Sequence, residues 1–330
     1  MSTKKYNFAF FGLSGSGKTC LLAALDIQRI EHPAGYTSSL LPVEVKRPAS
    51  EPDTWTEAEK QADILYKSSD RLEEAKNLLE QGAVPNGTGL SIDFIYHYKF
   101  SSPQTGEFHA QLIDYGGELV SPQNAAQDIA KDLRDKLANM DGLLVLAPAH
   151  DKTGGSEKLN QLQKTMGLIP FSQPIVFLIT KWDRIATTTQ AALTELPTPE
   201  HRDLYNDLIN KVGEENCKVF PVSAFGQCER RDGKEVPKQV NPLASFGVLE
   251  GFIWLAQRLE TIKLQQNASQ LQNYEQAIAH YKKWLPYPSL SLWRLKCEGK
   301  KIINLFPKDS DMAKRAIQAG HQSRMTWWSR

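Results

Sequence analysis

The chain has 330 residues, 41% of them hydrophobic and 9% aromatic, with 39 Lys+Arg against 38 Asp+Glu. That composition excludes a disordered, collagen-like or disulfide-built chain and allows one large domain, or a domain with an appendage. The net charge of +1 hides an asymmetry: residues 261–330 carry 12 Lys+Arg against 4 Asp+Glu, a local +8, and the remainder carries −7. No apolar run approaches the roughly 20 residues of a membrane-spanning helix. The four cysteines, Cys20, Cys217, Cys228 and Cys297, show neither CxxC pairing nor metal-ligand spacing. A reduced, cytoplasmic protein is therefore expected.

Tyr6–Phe11 (YNFAFF) is a short apolar run closed by a glycine turn, the pattern of a buried strand. After a Gly/Ser loop, Lys18 to about Gln28 sets Leu21, Leu22, Ala24 and Leu25 on a helical stripe. Residues 32–53 hold four prolines and read as irregular. Asp53 or Thr54 is placed to cap a long helix in which Ala58, Ala62, Leu65, Leu72, Ala75 and Leu79 share a face, and which Gly82 ends. Ile92, Phe94, Tyr96, Tyr98 and Phe100 then alternate through Ser91–Phe100. Glu107–Ile113 follows the turn SSPQTG, so an antiparallel hairpin is predicted.

Ser121–Met140 reads as helix, Gly142–Ala147 as strand, Ser156–Gly167 as helix and Pro174–Thr180 (PIVFLIT) as strand. A helix at Glu200–Val212, a strand at Lys218–Ser223 and a helix at Val248–Leu259 complete the body. This alternation predicts an α/β fold, a mostly parallel sheet with helices on both faces and the hairpin strand as its antiparallel member. From Thr261 the character changes to a Gln-rich helix over 261–284, a Pro-broken WLPYPSLSLWRL, and an amphipathic Ser310–Ala319 before MTWWSR. The organisation read here is a body of residues 1–260, with a helical insertion at about 32–84, and a basic, Trp-containing extension of residues 261–330.

The strongest motif is Gly12-Leu13-Ser14-Gly15-Ser16-Gly17-Lys18-Thr19, which matches GxxxxGK[ST] between a strand and a helix. Such glycines let successive backbone N–H groups turn inward around phosphate oxygens, and the helix N-terminus adds its positive dipole end. Gly12, Ser14, Gly15, Ser16, Gly17 and Cys20 are thus candidate nucleotide contacts. Lys18 would reach the β- and γ-phosphates, and the Thr19 hydroxyl would ligate Mg²⁺. Asp114-Tyr115-Gly116-Gly117 follows the apolar Ala110–Ile113. A carboxylate at that strand tip can hold a metal-bound water, and the Gly117 N–H can meet a γ-phosphate.

Thr180-Lys181-Trp182-Asp183 closes PIVFLIT. A carboxylate there can accept from the ring N–H and exocyclic amine that guanine presents on one edge and adenine does not. The Lys181 stem can lie over the base plane. Ser223-Ala224 comes after the next strand, where the Ala224 N–H could meet the guanine oxygen.

In this order and on these strand ends, GLSGSGKT, DYGG, TKWD and SA resemble the nucleotide-binding motifs of Ras-like (TRAFAC-class) P-loop GTPases, over about residues 6–260. The resemblance implies a six-stranded sheet, a GTP/GDP cycle and Mg²⁺ dependence. The base-reading motif of that family usually begins with Asn and here begins with Thr180. A finer similarity is to bacterial double-GTPase-like proteins of conflict or signalling systems, carried by LLEQGAVPNGTGLSIDFIYHYKF followed by LIDYGGE. It implies that Thr88 joins Thr19 and Asp114 on Mg²⁺, with Thr54 and Thr56 as competitors. Glu118 stands where small GTPases usually carry a water-orienting Gln. A carboxylate can orient or deprotonate a water but adds charge beside an anionic phosphate, so weak intrinsic hydrolysis is expected. Glu118 as a mere helix cap is the plainer alternative.

Lys18, Thr88 and Glu118 are the candidate catalytic set. The 69 positions from Thr19 to Thr88 resemble in placement the helical insert of heterotrimeric G-protein α subunits. That likeness implies a cover over the nucleotide and an arginine in cis, Arg71 or Arg47, each read more plainly as a solvated surface charge. Cys20 is either a small buried residue or a redox-sensitive thiol. His97 and His109 could face each other across the hairpin without making a metal site. His150 and Asp151, at a strand's C-terminal end, receive no role.

The extension, with Lys282, Lys283, Arg294, Lys296, Lys300, Lys301, Lys308, Lys314 and Arg315 among Trp284, Trp293, Trp327 and Trp328, suits a protein partner. Nucleic acid and an anionic membrane are the alternatives, and a solvated extension packing its tryptophans on the body is the plainest. Two functions remain in view: a GTP-binding switch with slow hydrolysis that a protein partner reads, or a nucleotide-bound scaffold subunit with little or none. An ATP-using P-loop enzyme would leave TKWD without a purpose.

Overall fold

The computed structural model describes residues 3–27, 31–42, 52, 55–83, 85, 94–114, 135–149, 155–168, 172–185, 196–231, 234–284, 300–306 and 310–328. The apolar runs form β1 (Lys4–Phe11), buried over Phe8–Phe11, and β5 (Gly142–Pro148) and β6 (Ile175–Thr180), buried without alternation. Strands of that kind need cover on both faces, as parallel sheets have. With β2 (Thr37–Leu40), β3 (Phe94–Ser102), β4 (Gly106–Asp114) and β7 (Cys217–Pro221) they build a seven-stranded sheet in the order β2-β3-β4-β1-β5-β6-β7. β4, β1, β5, β6 and β7 are mutually parallel, whereas β3 runs antiparallel to β4 and to β2. The register Phe10↔Asp114 and Pro148↔Thr180 brings the motif-bearing strand ends to one edge of the sheet.

The seventh strand corrects the expectation of six. Its sequence, TSSL, is polar and only four residues long, with no alternation to betray it, yet it pairs along β3 from Thr37↔Ser101 to Leu40↔Tyr98. Short polar strands at a sheet edge discourage further pairing, which suits its position. The hairpin register also corrects the histidine pairing: His97 lies opposite Gln111, and His109 opposite Lys99.

One face of the sheet is covered by α3 (Gly155–Leu168) and α4 (Pro199–Val212). Leu159, Leu162, Leu204 and Leu208 pack there with Phe11, Val145 and Phe177. On the other face, α1 (Lys18–Asp26) accepts the Tyr98 hydroxyl at the Leu22 carbonyl, 2.8 Å away. Phe252, early in α5 (Glu250–Trp284), stacks on Phe100 with centroids 4.9 Å apart and lies 6.5 and 6.0 Å from Phe8 and Phe10.

The predicted long helix is α2 (Glu57–Glu80). Thr56 caps it, in place of the Asp53 or Thr54 expected: its hydroxyl accepts from the Glu59 N–H while the Glu59 carboxylate takes the Thr56 N–H. This reciprocal pair satisfies two donors at once, and Asp53 has no Glu or Gln three residues on to offer it. The Thr56 hydroxyl is thereby committed to the cap. α2 packs along α1 and β3 with Leu72, Ala75 and Leu79 buried, so it is a layer element of the body rather than a separate cover. Lys76 fastens it to Asp26 at 2.7 Å, and Asp26 also accepts the Leu40 N–H of β2 at 2.8 Å.

Between Ser223 and α5 lies an unforeseen hairpin, β8 (Cys228–Arg231) and β9 (Lys234–Pro237). The chain divides into two compact units, Met1–Gln257 and Arg258–Arg330. The helices expected at Val248–Leu259 and over 261–284 are one continuous helix, α5, because no glycine or proline interrupts it between Phe252 and Pro286. Inside the second unit Leu271, Tyr274, Ile302 and Phe306 pack with Ala313, Ala316 and Ala319 of α6 (Asp311–Trp328), and Arg315 pairs with Glu275 at 2.8 Å. No helix among the described residues is long and apolar enough to cross a membrane.

Candidate functional site

The loop between β1 and α1 is shaped by its glycines. A Cβ on Gly12 would meet Ser16 Oγ at 2.8 Å and the Leu146 carbonyl at 2.9 Å. Gly17 caps α1 with φ +93°, a left-handed conformation that disfavours any side chain. Ser14 and Gly15 are exposed on the loop, and Ser16 is buried, its hydroxyl without a hydrogen-bond partner among the described residues. Lys18 turns back beneath the loop, 4% exposed, and its Nζ donates to the Gly12 carbonyl at 2.7 Å. Burial pushes its pKa down, the negative charge of Asp114 opposes that, and the positive charge of Arg71 adds to it. A lysine so placed, at the head of a helix, is suited to an anion.

Gly15 to Leu21 form one wall of a cavity of about 230 Å³, and Lys181, Asp183, Arg184, Val222, Ala224 and Phe225 form another. β6 and the segment after β7 are tied together there: the Trp182 N–H donates to the Val222 carbonyl and the Val222 N–H to Ile179. Lys181 adopts φ 56°, the one non-glycine residue with positive φ among those described. It leads into a short 3-10 turn, Trp182–Arg184. Asp183 accepts a hydrogen bond from the Ser223 hydroxyl at 2.5 Å, which occupies one of the roughly four acceptor positions of a carboxylate. The same hydroxyl receives the Gly226 N–H at 3.0 Å, so Ser223 holds the carboxylate from outside the cavity while Ala224 lines it. Thr180, buried beside Gly17, donates to the Ser16 carbonyl at 2.6 Å and ties the two walls together.

Asp114 ends β4, 1% exposed, and its charge is felt by Lys18 and by Tyr96 of β3. Tyr96 has its pKa raised by burial first and by Asp114 second, with Arg71 acting against both. The Thr19 hydroxyl and the Asp114 carboxylate are hard oxygen donors, and no cluster of three His, Cys, Asp or Glu occurs among the described residues. That set fits Mg²⁺, which takes one or two protein oxygens and fills the rest from water and substrate phosphates.

Of the sequence-predicted residues, Gly15 to Cys20, Lys181, Asp183 and Ala224 line this cavity, Ser223 bonds Asp183 behind it, and Gly12 accepts from Lys18, whereas Ser14, exposed on the loop, and Asp114 are not among the lining residues. Thr88, Gly117, Glu118, Arg47, His150 and Asp151 lie outside the described residues. Cys20 lines the cavity, and burial pushes its thiol up to about 11, which removes the thiolate that a redox role near neutral pH would need. Sequence reasoning missed Arg184, Phe225, Cys228 and Pro85, which also line the cavity. Only the position of Phe225 directly after Ser-Ala could have signalled it.

Strand, phosphate-type loop and helix at the C-terminal edge of a mostly parallel sheet define a P-loop α/β architecture. No protein-family profile matches the chain, and no curated protein does. Among solved structures, one similar chain is a bacterial selenocysteine-specific elongation factor, EF-Sec, at 18% identity and TM-score 0.35, over 68% of this chain and 27% of that one. Another is the ADP-ribosylation-factor-like GTP-binding protein, small COPII coat GTPase SAR1, of Encephalitozoon cuniculi in complex with GDP. It is 13% identical with TM-score 0.36, over 80% of this chain and 83% of that one.

Proposed function

We propose that the protein binds guanine nucleotides with Mg²⁺ and turns GTP over slowly to GDP and phosphate, as a switch whose state a protein partner reads. The observation that carries this reading is the convergence of two specific walls on one cavity: the glycine loop with Lys18, and the Asp183 carboxylate oriented by Ser223. Lys18 and the backbone N–H groups of Gly15, Gly17, Lys18 and Thr19 hold the phosphates. Asp183 takes the two guanine donors, Ala224 offers its N–H to the guanine oxygen, and the Lys181 stem covers the base. Thr19 and Asp114, joined by Thr88, would hold Mg²⁺, which when bound neutralises charge on the β- and γ-phosphates. Gly117 would report the γ-phosphate and Glu118 would take the role of the water-orienting residue, at a cost in rate from its own charge.

Calorimetric titration with GTP, GDP and ATP in Mg²⁺ tests the reading, with Lys18→Ala and Asp183→Ala alongside. Guanine nucleotides are expected to bind, ATP at least a hundredfold more weakly. Lys18→Ala should abolish phosphate-dependent binding, and Asp183→Ala should erase the preference for guanine. ATP binding equal to GTP, or indifference to Asp183, would sink the base-reading argument. A second reading, a nucleotide-bound scaffold subunit, is favoured by the +8 balance of residues 261–330. It would show the same binding with no turnover above that of Lys18→Ala.

A further inference from the structure

Five large apolar side chains stand exposed among the described residues: Tyr66, Ile185, Leu264, Leu305 and Ile317. Scattered singly, such side chains are ordinary. Three of these, however, stand beside charge without a counter-ion, in two places of opposite sign. The first place is the outer face of α2. Leu72, Ala75 and Leu79 bury one side of the helix, and Asp70, Glu73, Glu74 and Glu80 are exposed on the other, with Tyr66 one turn before Asp70. The lysines nearby are already engaged, Lys67 with the buried Asp63 at 2.6 Å and Lys76 with Asp26 at 2.7 Å and Glu73 at 3.2 Å. Asp70, Glu74 and Glu80 have no cationic partner among the described residues.

The second place lies in the unit of residues 258–330. Asn267 is buried and donates from Nδ2 to the Leu305 carbonyl at 3.4 Å, which holds residues 300–306 beside the turn of α5 that carries Lys263 and Leu264. Leu264 is 52% exposed and Leu305 38%. Lys263 adjoins the one, and Lys300 and Lys301 lie about one turn before the other; all three lysines are exposed, with no carboxylate partner among the described residues.

A solvated surface intersperses the two signs. Here each sign is gathered beside an exposed apolar side chain, and the opposite sign lies on the other surface. Phosphates of a membrane or a nucleic acid would suit the lysines, but they would also meet the −7 of residues 1–260 and leave the face of α2 without a counterpart. A second copy of the chain supplies both halves. Carboxylates with a tyrosine ring meet ammonium groups with leucines, and a net charge of +1 adds little long-range repulsion.

We propose that the protein associates with a second copy of itself, residues 263–264 and 300–305 of one copy docking on the outward face of residues 66–80 of the next. The two surfaces differ, so the contact is heterologous. Each copy keeps one surface of each sign open, and association continues into larger species unless the rotation closes a ring. Exposed ion pairs are weak singly and screened by salt, so the contact depends on concentration and ionic strength. It does not rest on the guanine-nucleotide reading.

Sedimentation velocity of the full chain tests it, from about 1 to about 100 µM protein and in about 0.05 and 0.5 M salt. In low salt the wild type should pass from monomer to dimer and larger species, and high salt should weaken this roughly tenfold or more. Asp70→Lys/Glu74→Lys and Lys300→Glu/Lys301→Glu should each weaken association by a similar factor at unchanged melting temperature. An equimolar mixture of the two variants should recover it, because the intact lysines of the first meet the intact carboxylates of the second. A wild type that stays monomeric throughout overturns the proposal. If that monomer then binds anionic lipid vesicles or duplex DNA through the same lysines, the basic surface belongs to that partner instead. Association unmoved by salt and by both reversals would place the contact elsewhere. Loss in each variant without recovery on mixing would break the pairing of these two surfaces, and either result overturns the proposal likewise.

Discussion

The two halves of the sheet are built on different rules. β5, β6 and the Phe8–Phe11 half of β1 are apolar on both faces and sandwiched between helices, and every strand joining them is parallel. β3 alternates buried and half-buried residues along its whole length, and it runs antiparallel between β2 and β4. The first half carries the end of the cavity proposed to read the base, where Asp183, Ser223 and Thr180 are fixed by short hydrogen bonds to one another or to backbone. The second half carries Asp114 and, through α2, Arg71, which act on Lys18 by charge. Discrimination among bases needs fixed geometry, and a buried parallel core supplies it. Sensing of a phosphate needs charge, which acts over longer distances and tolerates a sheet with one lighter face.

Phe252 joins the halves, touching Phe8 and Phe10 on β1 and Phe100 on β3. Phe252→Ala should therefore produce the largest loss, about 3–5 kcal/mol in denaturant-induced unfolding. A loss under about 1 kcal/mol would mean that the halves are stable apart. Next in size, Ser223→Ala frees Asp183 without removing it. Guanine-nucleotide affinity should fall about tenfold, near 1.4 kcal/mol, with the phosphate contacts intact. An unchanged GDP affinity in calorimetry would show that the carboxylate needs no orientation. The smallest expected effect is that of Thr56→Ala, which removes the cap of α2 and should cost about 1 kcal/mol of stability. If it also altered the ratio of triphosphate to diphosphate affinity, α2 would be tuning the charge-based half through its own placement.

Much of the fold and most of the cavity were legible in the sequence because their signals are local. A buried parallel strand is a run of apolar residues, and GLSGSGKT, TKWD and SA each sit directly on a strand end. The residues that escaped reading act through tertiary approach. TSSL becomes a strand only because β3 offers it an edge, and CERR with KEVP forms a hairpin without apolar alternation. Phe225 enters the cavity because Gly226, at φ +70°, turns so closely that a Cβ there would lie 2.0 Å from the Ala244 carbonyl. Arg71 lies in a helix whose pattern alone allows a solvated charge. Only the packing of α2 on β3 puts it against Phe94.

One hydroxyl has an effect beyond its own bond. Thr180 belongs to the strand that leads into the turn proposed to read the base, and it donates to the carbonyl of Ser16 in the glycine loop. Whatever settles one loop settles the position of the shared donor, and so part of the other. A ligand cut in two, guanosine and pyrophosphate, would then show heterotropic cooperativity. Each fragment would tighten the binding of the other by the same factor, as thermodynamic reciprocity requires.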